Sequence, residues 1–120
     1  MLKTALLILT MAQGDATRVT LSEADSLSDC EASLDVLSQI LTEAGNPPIA
    51  AICGETALRL EPFIHGTPPE AEIHRYRVEV PNGNGYRIAP LAKDETCTPD
   101  LAADPAVYCA QSGQGVLTDG

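Results

Sequence analysis

The chain has 120 residues, with 17 Asp or Glu against 7 Lys or Arg, so its formal net charge is −10. This length fits one domain, and a hydrophobic fraction of 44% is too high for a disordered acidic tail. The negative charge argues against binding to nucleic acids or anionic membranes, because both surfaces would repel the chain.

Residues 1–16 have the three-part layout of a secretory signal. Lys3 supplies a basic start, residues 4–12 are apolar, and Ala16 provides a small residue at a candidate cleavage site. The apolar run is too short to span a bilayer, which needs about 20 residues, so we expect no stable membrane anchor. The alternative is that residues 4–9 stay in the protein as a buried strand, since short apolar runs also suit buried strands.

The four cysteines favour disulfides over a metal site. None of them forms the close pair that structural zinc sites use, and neither histidine lies at ligand spacing from a cysteine. An even number of widely spaced cysteines indicates two disulfides and an oxidising compartment. Of the three connectivities, we predict the two that close local loops, each contributing about 3 kcal/mol in the loop-entropy model. These are Cys30–Cys53 and Cys97–Cys109.

One amphipathic helix is predicted from Asp29 to Ala44. Ser28 and Glu31 have the spacing of a capping box, and Gly45 followed by two prolines ends the helix. The apolar positions recur every three or four residues, and Ile40 widens the stripe. They are Leu34, Leu37, Leu41 and Ala44.

Several short segments are predicted to be strands. Residues 17–21 resemble an edge strand, 49–53 a buried strand, and 56–64 a half-buried strand that Pro62 confines to an edge. Residues 73–91 predict a hairpin with its turn in the Asn- and Gly-rich stretch at 82–85.

The C-terminal region, 94–120, has few core-forming residues and no positive charge. We predict an acidic loop closed by Cys97–Cys109, followed by a frayed tail from Gln111 to Gly120. The compact domain is therefore predicted to cover residues 17–93.

No catalytic signature is present, and we predict neither an enzyme nor a bound cofactor or metal. His65 and His74, near Glu70 and Glu72, remain candidates for a general base in a small hydrolase. The acidic residues of the C-terminal region lack the spacing of a helix-loop-helix calcium site, so they are interpreted as a solvated loop. They include Asp94, Glu95, Asp100 and Asp104.

Three arginines form the candidate binding surface. Alternation places Arg75 and Arg77 on one hairpin face, with Arg87 across from them. Clustered guanidinium groups bind carboxylates and phosphates, which suggests a partner protein or an anionic ligand. The alternative is cross-strand pairing with Glu79 and with Glu61 or Glu72.

The sequence therefore predicts an α+β fold: one amphipathic helix on a small antiparallel sheet, held by two disulfides, with a loosely ordered acidic C-terminal region. The predicted role is that of a small secreted or periplasmic binding or accessory protein that acts by surface recognition. The second hypothesis is a structural or assembly subunit of a virion or multiprotein complex, in which residues 4–9 are kept as a strand.

Overall fold

Six strands and one helix make up the described part of the chain. A computed structural model describes residues 2–11, 16–61, 73–82, 85–92 and 94–116. The elements are β1 (Lys3–Met11), β2 (Thr17–Glu23), α1 (Leu27–Glu43), β3 (Ala50–Thr56), β4 (His74–Val80), β5 (Arg87–Pro90) and β6 (Ala106–Ser112). The strands form one curled sheet in the order β3-β1-β2-β6-β4-β5.

The predicted α+β class with one helix is confirmed, but the sheet is mixed rather than antiparallel. β6 is antiparallel to β4 and parallel to β2, where Thr17 pairs with Ala110 and Arg18 with Gln111. The reason is geometric: β2 and β4 run in opposite directions, so a strand inserted between them must be parallel to one of them.

Strand β1 is buried on both faces. Leu7 and Leu9 point into the concave side of the sheet, and Leu6 and Ile8 point toward the helix; all four are at most 6% exposed. A strand covered on both faces needs an unbroken apolar run, which is the pattern that also resembles a secretory signal. In the structure, residues 4–9 are therefore part of a buried strand, as the alternative interpretation of this segment predicts. Cleavage after Ala16 stays a prediction.

The sheet is curled so that its two edges come together. The Tyr86 hydroxyl, just before β5, donates a hydrogen bond to the Ala5 carbonyl at 3.0 Å. The Tyr86 ring also lies over Gly54 of β3, where a β-carbon would come within 2.9 Å of it. Glycine at position 54 is thus what allows the aromatic ring to close the concave core.

Helix α1 starts earlier than predicted. Its N-cap is Ser26, whose Oγ accepts a hydrogen bond from the Asp29 backbone N–H at 3.1 Å, so the predicted cap at Ser28 is wrong. Ser26 and Asp29 have the same three-residue spacing as Ser28 and Glu31, and two overlapping patterns cannot be separated by spacing alone. The C-terminal end is confirmed: Gly45 has a φ of +82° and follows the C-cap Ala44.

The helix packs on β1 and β3 through a narrower stripe than predicted. Cys30 is fully buried, and Leu34, Leu37 and Leu41 pack around it. Ile40, predicted to widen this stripe, is 53% exposed because one helix lying on the sheet contacts it along a single line.

Two of the predicted strands differ in position from what their patterns indicated. β2 is an interior strand rather than an edge strand, and β3 lies at an edge of the sheet. Residues 57–61 form no strand beyond an isolated bridge between Leu60 and Val116; the rest of the predicted 56–64 strand lies outside the described residues. The hairpin is confirmed, with β4 paired to β5 in antiparallel register.

The C-terminal region is part of the sheet, so the predicted fraying from Gln111 is wrong up to Val116. β6 lies between β2 and β4, and Ser112 and Gln114 are 1% and 2% exposed. Composition did not indicate this strand, because the residues just after it are held by a polar side chain, Gln114, which binds backbone groups of Leu21 and Glu61. Residues 117–120 lie outside the described part.

Both predicted disulfides are present. Cys30–Cys53 joins the first turn of α1 to β3, and Cys97–Cys109 joins the loop before β6 to that strand. The two local loops that the sequence favoured are therefore the ones that are closed.

Because two tyrosines are buried, we expect the free energy of unfolding to fall in alkali. Burial and, to a lesser degree, Glu61 raise the pKa of Tyr76 from its usual value of about 10 to about 12, and burial also raises the pKa of Tyr86. A pKa that is higher in the folded state means that the folded state holds its proton longer. Stability should therefore be unaffected by these groups below pH 10 and fall as the pH rises from 10 to about 12.

The measurement is the urea unfolding midpoint across this pH range, with tyrosinate absorbance followed in parallel. Replacing both residues with phenylalanine should flatten the alkaline decline, although it lowers the stability at neutral pH. A decline of equal steepness in the double variant would contradict the assignment.

Candidate binding surface

The three predicted arginines share the convex face of the sheet. Arg75 and Arg77 lie on β4, and Arg87 lies on β5 directly opposite Glu79. The Glu79 carboxylate forms ion pairs with both of these arginines: Arg77 Nη2 lies 3.0 Å from it and Arg87 Nη1 lies 3.8 Å from it. The predicted cross-strand pairing with Glu79 thus describes Arg87, whereas Arg77 contacts Glu79 along its own strand. Glu72 lies outside the described residues.

These exposed ion pairs contribute little to stability. The Arg87 side chain is 84% exposed, and exposed pairs are typically worth about 0–1 kcal/mol. Arg75 belongs to neither of these two ion pairs and lies among other residues.

Arg75 lines an apolar groove of about 650 Å³. The groove lies where the end of β1 and the start of β3 meet the start of β2, the start of β4 and the loop before β6. Four large apolar side chains around it are 40–73% exposed, namely Met11, Ile49, Ile73 and Leu101, and Gln111 contributes an amide next to Arg75. We call this feature the groove.

One wall of the groove is the loop of residues 94–105, which we call the strap. Cys97–Cys109 attaches it to β6, and the Asp100 and Val107 backbones exchange hydrogen bonds of 3.0 and 2.9 Å. These bonds occupy part of the edge of β6 that β2 does not reach, since β2 begins opposite Ala110. The strap thereby presents Leu101 to the groove on an anchored backbone.

The acidic side chains of the strap bind backbone N–H groups rather than forming a cluster. Carboxylates of Asp104, Glu95 and Asp100 each accept a backbone N–H, from Asn82, Ala92 and Ala102 respectively, at 2.9–3.2 Å. Within the described residues there is no group of three or more His, Cys, Asp or Glu side chains arranged to hold a metal ion.

The histidine candidates are not brought together in the described structure. His65 and the neighbouring Glu70 lie outside the described residues. His74 begins β4 and is half-buried beside Gly115, where Glu61 Oε1 accepts the Gly115 N–H at 2.9 Å. A β-carbon on Gly115 would come within 3.1 Å of the His74 ring, so this glycine permits the close packing of the three residues.

Sequence patterns missed most of the groove. Met11, Ile49 and Leu101 come from three distant segments, and the pattern within each segment does not indicate that the three side chains meet. The apolar and polar alternation of β6 could have indicated a strand containing Gln111, but the acidic composition around it favoured a loop.

Comparisons with protein-family models, with curated proteins and with solved structures give no match for this chain. In the part of the chain that the structure describes, no helix combines the length and apolar character needed to cross a membrane. The functional argument therefore depends on the groove and its surroundings.

Proposed function

We propose that this protein is a non-catalytic binding protein of an oxidising compartment, secreted or periplasmic, that holds an extended apolar segment of a partner protein in the groove. The observation that supports this most is the convergence of four exposed apolar side chains around one concavity. Contiguous exposed apolar surface of this kind commonly marks an interaction site.

The compartment is supported by the two disulfides. Each joins elements that form the fold, one tying α1 to β3 and the other tying the strap to β6. Disulfides of this structural type form and persist outside the reducing cytosol.

A protein segment fits the groove better than an enclosed small molecule. Sites for small molecules usually bury most of the ligand, whereas Ile73 and Leu101 are 73% and 64% exposed. Side chains this exposed gain most from a partner that lies across them and covers their outer surfaces.

Charge narrows the kind of partner. The net charge of −10 favours a neutral or basic partner at long range, and Arg75 at the groove favours one carboxylate at short range. The expected segment is therefore apolar, with an isolated acidic residue.

Binding of a designed peptide tests the proposal. The probe is a labelled peptide of alternating leucine and serine, amidated at its C-terminus, with one glutamate near that end. Leu101→Asp should weaken its binding about tenfold or more, because one leucine contact is lost. The measurement is fluorescence anisotropy with the oxidised protein.

Leu27→Asp provides a matched control. Leu27 is 57% exposed, similar to Leu101, but lies at the start of α1 outside the groove. This variant should bind within about twofold of the unmodified protein, since surface changes elsewhere have small effects. Equal weakening by both substitutions, or no binding of the probe to the unmodified protein, would contradict the proposal.

A structural or assembly subunit is the second candidate. It is favoured by β1, which is an interior strand here, and by Val36 and Ile40, which leave an exposed apolar stripe on α1 at 56% and 53%. Sedimentation velocity over a range of concentrations distinguishes the two: a concentration-dependent oligomer that Val36→Asp abolishes would support the subunit.

A further inference from the structure

Arg18, Gln111 and Arg75 form one row across three neighbouring strands. Arg18 of β2 is the register partner of Gln111 of β6, and Gln111 is the register partner of Arg75 of β4. Side chains of register partners lie on the same face of a sheet, so an amide is flanked by two guanidinium groups. We call these three residues the row.

The row continues from the groove. Gln111 and Arg75 line the groove, and so does Thr17, the residue before Arg18. Neighbouring strands are about 4.8 Å apart, so the α-carbons of Arg18 and Arg75 are separated by about 10 Å, a span that two long side chains can close over Gln111. A group bound over Gln111 would lie beside whatever occupies the groove.

Two guanidinium groups and an amide are donors suited to a carboxylate. Arginine binds carboxylates through two parallel N–H donors, and the side-chain amide of Gln111 can supply another N–H donor. We infer that the row binds the carboxylate of an acidic side chain on the segment held in the groove. This inference rests on the proposed function and assigns the residues that select the segment.

The row differs from the arginine cluster that the sequence predicted. Arg77 and Arg87 both face Glu79, so that pair of cations already has a carboxylate between them. The centre of the row is instead the uncharged Gln111. None of the three row residues is without a partner in the free protein, so the carboxylate exchanges for existing contacts and its affinity is modest.

Comparison of two peptides tests the selection. The glutamate probe described above should bind about tenfold more tightly than the same peptide with glutamine, the difference that one charge-assisted contact provides. In Arg18→Gln and in Arg75→Gln this preference should fall to about twofold or less, whereas Arg87→Gln, the matched control, should retain it. Equal binding of both peptides to the unmodified protein would overturn the row and leave the groove intact.

A second measurement tests the row without the groove. Succinate is titrated into labelled protein while the arginine side-chain Nε–H resonances are followed by NMR. The Arg18 and Arg75 resonances should shift together with one common midpoint, and those of Arg59 and Arg87 should not follow it. Independent midpoints, no saturation, or a tighter common midpoint with inorganic phosphate would overturn the carboxylate assignment, even if neither peptide binds.

Discussion

Removing β1 is expected to abolish folding. A chain that begins at Thr17 lacks the strand that pairs with both β2 and β3 over seven register positions each. It also lacks four buried apolar side chains, Leu6 to Leu9, each contributing about 1.5–3 kcal/mol. Their sum, about 6–12 kcal/mol, is comparable with the whole stability of a small domain. Far-UV circular dichroism and amide NMR dispersion of the shortened chain measure the effect.

A pair of leucine substitutions provides a finer version of the same test. Leu7→Ala should lower the free energy of unfolding by about 2–5 kcal/mol, because Leu7 is fully buried. Leu2→Ala, the same change at a residue that is 60% exposed, should have an effect within about 0.5 kcal/mol. Urea unfolding of the oxidised full chain measures both.

The outcome also bears on the predicted cleavage after Ala16. A shortened chain that folds, forms both disulfides and gives a dispersed spectrum would contradict the requirement for β1 and would be compatible with cleavage. If the shortened chain is unfolded, cleavage at that position and this fold exclude each other. The intact mass of the natural protein then decides which form exists.

The second large effect is expected at Gln114. Its side chain takes the place of a strand residue: Oε1 accepts the Leu21 N–H at 2.9 Å, and Nε2 donates to the Leu21 carbonyl at 2.9 Å and to the Glu61 carbonyl at 2.7 Å. Its own carbonyl accepts the Tyr76 hydroxyl at 2.6 Å. This residue therefore joins β2, β4 and the segment at Glu61.

Gln114→Ala should destabilise the protein by about 3–5 kcal/mol, because it leaves several buried backbone groups unpaired at about 1–3 kcal/mol each. Gln114→Glu should be at least as harmful at neutral pH, since a carboxylate oxygen then faces the Leu21 and Glu61 carbonyls that Nε2 now serves. Urea unfolding gives the stability, and hydrogen exchange at the Leu21 amide reports the local opening.

Gln39→Ala is the matched control. Gln39 is exposed on α1 and makes a single 3.3 Å hydrogen bond to Glu43, so its replacement should change the stability by less than about 0.5 kcal/mol. Similar effects at positions 39 and 114 would show that the Gln114 hydrogen bonds do not hold β6 in place.

Local patterns predicted the elements that local physics controls. The helix with its glycine stop, the β4–β5 hairpin and the two short-range disulfides each depend on residues close together in the chain. The errors occur where a distant partner satisfies a segment. Residues around Gln111 were predicted to fray because nothing nearby in sequence indicates that Leu21 and Tyr76 hold Gln114.

The sequence by itself determined the helix, the hairpin, the cysteine pairing and the face that Arg75, Arg77 and Arg87 share, because caps, alternation and loop length act over a few residues. Only the tertiary structure decided that β6 inserts between β2 and β4, that the apolar N-terminal run is an interior strand, and that Arg18 lies in one row with Gln111 and Arg75. Strand order and register depend on contacts between segments as much as 93 residues apart, and no local pattern encodes which strand will be the neighbour.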